Sequence, residues 1–214
     1  MRGHEREREP LHTEVRGNER EKGKERGMRL RELIEWLERQ DAERTVTNGF
    51  GEPHSDRGDY SLLAFEPVKV TTFGEMLAHA AAAEGRTFTG WKGGEYVMEG
   101  DTRCRIGKWG ECGEDITRAH LELWLVGAAL TDVLKERARQ DAKWGVQNHD
   151  PQTWVSILAE EVGEMAKEAN DLRRAPAGER GGISARLYTE AVQTAAVALA
   201  IVECLARGTC QGKK

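Results

Sequence analysis

The sequence lacks the marks of several broad protein classes. It has only four cysteines, Cys104, Cys112, Cys204 and Cys210, and no two of them form a CxxC pair. A structural zinc site built on paired thiolates is therefore not expected. It has no basic excess: 32 Lys and Arg face 37 Asp and Glu, for a net charge of −5. General nucleic-acid binders carry a basic balance, so that class is set aside. A small phosphorylated ligand stays open, because a pocket needs only a few local cations. No apolar run approaches the ~20 residues of a membrane span. The longest is Ala195–Ile201 with its flanks. No secretory signal opens the sequence, whose first residues are charged throughout. The expectation is a cytoplasmic protein with no membrane partner and with reduced thiols. No internal repeat and no Ser/His/Asp or Cys/His nucleophilic set stands out.

What is present divides the chain. Hydrophobic residues make up 38% and charged residues 32%, too little apolar material for one uniform globule. Residues 1–27 alternate Arg, Glu and Lys with Gly and hold few apolar side chains. Such a segment cannot offset chain entropy and reads as a disordered, mixed-charge tail. From Met28 the pattern changes. Leu30, Leu33, Ile34 and Leu37 fall at i, i+3, i+4 and i+7, which predicts an amphipathic helix over 28–43. Thr45–Phe50 reads as a short strand. Gly51, Pro53, Ser55, Asp56 and Gly58 mark a loop, and Tyr60–Phe65 a second strand. Thr72 with Glu75 forms a capping-box pattern that opens a helix ending near Glu84. Short aromatic stretches at 87–89, 96–98 and 104–109 read as strands or hairpins. Residues 28–114 thus read as a small α+β domain of unknown role.

Beyond Gly113 helix signals dominate. Three helices are expected, over about 116–143, 152–172 and 184–206, with Pro151 suiting the first turn of the second. Ala175–Gly182 reads as a flexible connection, and 208–214 as a flexible C-terminus.

The chemistry lies in the carboxylates. In the second helix Glu161 and Glu164 are three apart and Glu160 and Glu164 four apart, all within one arc of ~100°. Glu168 extends the stripe. Like charges at this spacing repel. The third helix is apolar nearly all round, yet begins with Glu190 and Gln193. A buried carboxylate is costly unless paired or metal-bound. If these helices pack antiparallel, Glu190 and Gln193 face the glutamates and complete a nest of hard oxygen ligands suited to Mg²⁺.

The pattern Glu160-Glu161-x-x-Glu164 followed by Glu190-x-x-Gln193 resembles the EExxE…ExxD signature of MazG-like all-α nucleoside-triphosphate pyrophosphohydrolases. The stretch Arg139-Gln140-Asp141-Ala142-Lys143-Trp144-Gly145 with Gln147-Asn148-His149 resembles family members of phages and actinobacteria. The resemblance implies an all-α helical-bundle domain over 115–207, following the α+β domain. It also implies Mg²⁺ (or Mn²⁺) dependence, and hydrolysis of an NTP or dNTP to the monophosphate and pyrophosphate. Glu160, Glu161, Glu164 and Glu190 would be the catalytic and metal-binding residues, with Gln193 as a further ligand. Gln193 is the departure, standing where the signature has Asp. A homodimer or homotetramer is implied as well. The alternative is a nucleotide-binding or interaction module of phage origin with little turnover.

Arg139, Lys143, Trp144 and Lys167 are the candidate substrate contacts. Arg139 and Lys143 share a helix face and could meet phosphates, and Trp144 could stack on a base. Core packing is the commoner role for both Trp144 and Trp154. Lys167 reads as an ion-pair partner of the glutamates. In the first half, Gly49–Tyr60, Leu63–Pro67 and Thr89–Tyr96 resemble an uncharacterised domain of phage proteins. There His54, Arg57 and Asp59 form a polar cluster read as a turn-stabilising group.

Overall fold

The computed structural model describes residues 26–210. Most of the expected charged tail, and the last four residues of the expected flexible C-terminus, lie outside the described residues. The order of elements is α1 (Leu30–Leu37), β1 (Thr45–Ser55), β2 (Leu63–Thr72), α2 (Phe73–Ala83), β3 (Arg86–Thr89), β4 (Glu95–Met98), β5 (Cys104–Ile106), β6 (Glu114–Asp115), α3 (Arg118–Trp144), α4 (Pro151–Arg174) and α5 (Arg180–Ala206). A single 3₁₀ turn, Ala177–Glu179, precedes α5.

One four-stranded sheet runs β1-β2-β5-β6, with β2 and β5 parallel and the other pairs antiparallel. A separate hairpin pairs β3 with β4. Against expectation, Gly51–Ser55 are strand. The chain absorbs the glycine and proline there through a register shift between Phe50 and Pro53, the device by which strands accommodate an extra residue. The predicted capping box is present: Glu75 N–H donates to Thr72 Oγ1 at 3.1 Å, and Thr72 N–H donates to Glu75 Oε2 at 2.9 Å. Helix α1 is shorter than the expected 28–43: it spans the apolar stripe Leu30–Leu37 and closes in a turn in which Gln40 N–H donates to Leu37 O.

Leu30, Leu33, Leu37, Phe50, Phe65, Phe73 and Met76 form the main core, and α3 supplies Leu121, Trp124 and Ala128 to it. Trp124 is 1% exposed, stacks edge-on near Phe50, and donates its indole N–H to Asn48 O at 3.0 Å.

This arrangement corrects the expected fold class. The C-terminal region is three helices and not a bundle. The first half of α3 is spent on the sheet's core, while α5 packs against both the second half of α3 and α4. The buried helical core is accordingly small: Trp154, Val197, Ala200 and Cys204. Three long helices cannot enclose a full bundle core when half of one is buried elsewhere.

Two further expectations change. The connection after α4 is short, because Arg180–Gly182 join α5 as its first turn. Cys204 and Cys210 form a disulfide, so these two are not free thiols, whereas Cys104 and Cys112 are. The stretch Ala177–Ala206 is long and apolar enough, by length and composition, to cross a membrane, although the sequence shows only short uninterrupted apolar runs. In this structure it contacts α3 and α4, and its Glu203 accepts from the buried Arg137 of α3 at 2.9 and 3.0 Å.

Candidate metal and phosphate site

The acidic groups lie on α4 and α5, which run antiparallel after the short turn at 175–179. One carboxylate oxygen from each of Glu161, Glu164 and Glu190 lies within 4.8 Å of the others. Glu160 is exposed and stands outside that trio, although its charge reaches Glu161. Gln193 sits beside it: its amide nitrogen is 3.4 Å from Glu190 Oε2. Glu168 stands outside the trio, although its charge reaches Glu190. It is buried and accepts from Arg186 Nε at 2.9 Å.

The electrostatics are those of crowded anions. Burial, then the neighbouring Glu164, Glu190 and Glu160, push the Glu161 carboxyl above its ordinary range. Burial, then Glu164, do the same to Glu190. Oxygen Oε2 of Glu161 is buried without a hydrogen-bond partner. A buried carboxylate oxygen with no donor, on a residue crowded by two more carboxylates, calls for a proton or a cation. Three hard oxygen donors fit a divalent ion that retains waters, as Mg²⁺ does.

The pH dependence follows. A folded-state pKa above the unfolded value means that the folded state holds its proton more tightly. That contribution to stability is complete below the unfolded carboxyl range, near 4.5 for Glu. It is lost as pH rises through the raised folded values. Thermal unfolding of metal-free protein, scanned upward in pH from that point, should show a falling Tm attributable to this cluster, and Glu161→Gln should flatten the fall. A profile unchanged by Glu161→Gln would contradict the assigned crowding.

Among the expected substrate contacts, Arg139 grips Glu136 through two contacts of 2.6 and 2.7 Å, with Glu161 within reach of its charge. Lys143 Nζ lies 4.4 Å from the Trp144 ring centroid. Trp144 is 51% exposed, so packing in the core is not its role, whereas Trp154 at 1% is a core residue. Lys167 is largely exposed, 3.9 Å from Glu168. The structure adds Glu136 of α3, which is held by Arg139 and Gln140 and whose charge reaches Glu161 as the weakest of the neighbouring carboxylates. Only the packing of α3 on α5 reveals it, because nothing in its sequence context marks it.

In the first half, sequence reasoning passed over the residue that organises the polar loop. Asp56 is fully buried and accepts from Gly58 N, Asp59 N, Gly113 N and Arg105. Asp59 accepts from Ser61, Arg57 donates to Gly110 O, and His54 lies between the carbonyl oxygens of Ser55 and Gly107. The turn-forming cluster exists, with Asp56 at its centre. Comparison with known proteins gave no match to any family model, curated protein or solved structure.

Proposed function

We propose that the chain hydrolyses a nucleoside triphosphate, ribo or deoxyribo, to the monophosphate and pyrophosphate in a Mg²⁺-dependent reaction, as the MazG-like signature suggests. The observation carrying this reading is the convergence of Glu161, Glu164 and Glu190, in which Glu161 also has a buried, partnerless oxygen. Bound there, Mg²⁺ would neutralise phosphate charge and lower the pKa of a coordinated water.

The protein's own groups then have defined tasks. Glu161, Glu164 and Glu190 hold the ion. Glu160, exposed at the rim, is free to orient water. Arg139 exchanges Glu136 for a phosphate oxygen, and exposed Trp144 offers a face to the base, with Lys143 at its edge. Positioning and electrostatics carry most of such a reaction.

The test is a panel of NTPs and dNTPs with Mg²⁺, scored for pyrophosphate release, with Glu161→Gln as control. The panel failing on every nucleotide would leave the second reading, a nucleotide-binding module with little turnover. Gln193 favours that second reading, because it brings no negative charge to the site. In the same assay, a large gain with Gln193→Asp would identify the native protein as a weakened catalyst or binder.

A second copy of the chain is the proposed partner. Leu123, Val126, Leu130 and Leu134 lie along one stripe of α3, each between 56% and 64% exposed. An apolar ridge of that kind marks an interface. Leu130→Arg should shift the protein to monomer in sedimentation velocity while leaving its secondary structure intact. An unchanged sedimentation coefficient would remove the ridge from consideration.

A further inference from the structure

Away from the carboxylates, two tryptophans share one surface. Trp91 is 47% exposed and Trp109 48%, and their ring centroids are 6.0 Å apart at 65°. Each sits in a glycine-bounded turn, Gly90-Trp91-Lys92-Gly93-Gly94 and Gly107-Lys108-Trp109-Gly110. The turns are tight. Gly90 N–H donates to Gly94 O and Gly93 N–H to Gly90 O, each at 2.9 Å. Gly93, Gly94 and Gly110 have φ of 91°, 94° and 81°, a region that disfavours side chains. Gly110 lies against the Trp91 ring: a Cβ there would stand 2.9 Å from Cζ3. Trp109 is backed edge-on by His54 at 5.4 Å, and its backbone N–H donates to Glu66 Oε1. Both indoles are therefore held in place before any ligand arrives, which lowers the entropy lost on binding.

The rim carries cations. The Arg57 guanidinium lies 5.7 Å from the Trp91 ring centroid, and Lys92 and Lys108 are exposed beside their tryptophans. Of the nearby acids, Glu66 is engaged by the Trp109 backbone, Glu95 is exposed just beyond the Trp91 turn, and Glu111 is exposed just beyond Trp109.

We propose that this face binds a short stretch of single-stranded nucleic acid, with bases stacking on Trp91 and Trp109 and backbone phosphates meeting Arg57, Lys92 and Lys108. Aromatic platforms edged by cations are the means by which single strands are held without sequence preference. A duplex hides the base faces that the indoles need. A free nucleotide brings a single base and would use only one of the two rings, whereas a strand brings successive bases to both. With a net charge of −5 on the chain, the attraction is confined to these local cations. The site is local and does not rest on the acidic cluster.

The experiment is fluorescence anisotropy of a fluorescein-labelled oligothymidylate titrated with the full chain at low salt. The comparison arms are the same strand annealed to oligoadenylate and free thymidine monophosphate as competitor. Trp91→Ala should weaken strand binding by about tenfold, and Trp91→Tyr should retain most of it. Lys92→Gln should flatten the log–log salt dependence by about 0.7. Glu161→Gln should leave strand binding unchanged, which separates this site from the proposed hydrolytic one. Because Trp109 packs on His54, Trp109→Ala is scored only if its thermal unfolding matches the parent; Trp91→Ala carries the test otherwise. No binding at low salt, equal binding of the duplex, effective competition by the monophosphate, or indifference to Trp91→Ala would each overturn the proposal.

Discussion

Glu161→Gln should lower Mg²⁺-dependent pyrophosphate release by on the order of a hundred- to a thousandfold, the range for removing one charged group that acts in the transition state. Its side chain is the only one of the trio with a buried, partnerless oxygen. The amide keeps the shape and loses the charge. The same substitution removes repulsion toward Glu164 and Glu190, so the metal-free variant should unfold at a higher temperature than the parent. These opposite effects, activity down and metal-free stability up, are the signature of a site built for a cation. A variant that hydrolyses nucleotides at the parental rate ends the assignment. A variant less stable than the parent without metal would make Glu161 an ordinary structural residue.

Asp56→Ala should be the most damaging single change to the fold of the first half. One carboxylate satisfies the N–H groups of Gly58, Asp59 and Gly113 at 2.8, 3.1 and 2.6 Å, and pairs with Arg105 at 3.0 Å. Truncation leaves three donors without an acceptor. Arg105 retains Asp115 at 3.0 Å, so its charge is not stranded. The loss is therefore set by the N–H groups, and amounts to about 3–5 kcal/mol in total. For a protein of this size that corresponds to a fall in Tm of about 10 °C. Asp56→Asn keeps one acceptor oxygen and should cost less. Calorimetry of the three proteins decides the matter, and an alanine variant within a degree of the parent would refute the role. Because Gly113 closes the loop that carries Trp109, the alanine variant should also disturb the tryptophan fluorescence.

Local patterns were readable where one short-range rule dominates. The Thr72–Glu75 box, Pro151 at the start of α4 and the helical run of α3 each follow from neighbours within a turn of the chain. Gly51–Ser55 misled because glycine and proline are usually loop signals, yet a strand paired with β2 can carry both across a register shift. The same limit applied to Gly181 and Gly182, which sit in the first turn of α5. The spacing of Glu160, Glu161 and Glu164 told that they share a helix face. It did not tell that Glu160 would stand exposed outside the trio, nor that Glu168 would pair with Arg186.

The sequence by itself determined the helices, the β3–β4 hairpin and the start of β1, and the acidic and apolar stripes along α4 and α5, because periodicity is a property of consecutive residues; the second strand, expected at Tyr60–Phe65, runs instead over Leu63–Thr72. Only the tertiary structure decided that Trp124 ties α3 into the sheet and leaves three helices without a bundle core. It alone placed Asp56 at the hub of four donors, and set Trp91 beside Trp109. Each depends on residues far apart in the chain meeting in space, and burial is fixed by what covers a side chain rather than by the side chain's own identity.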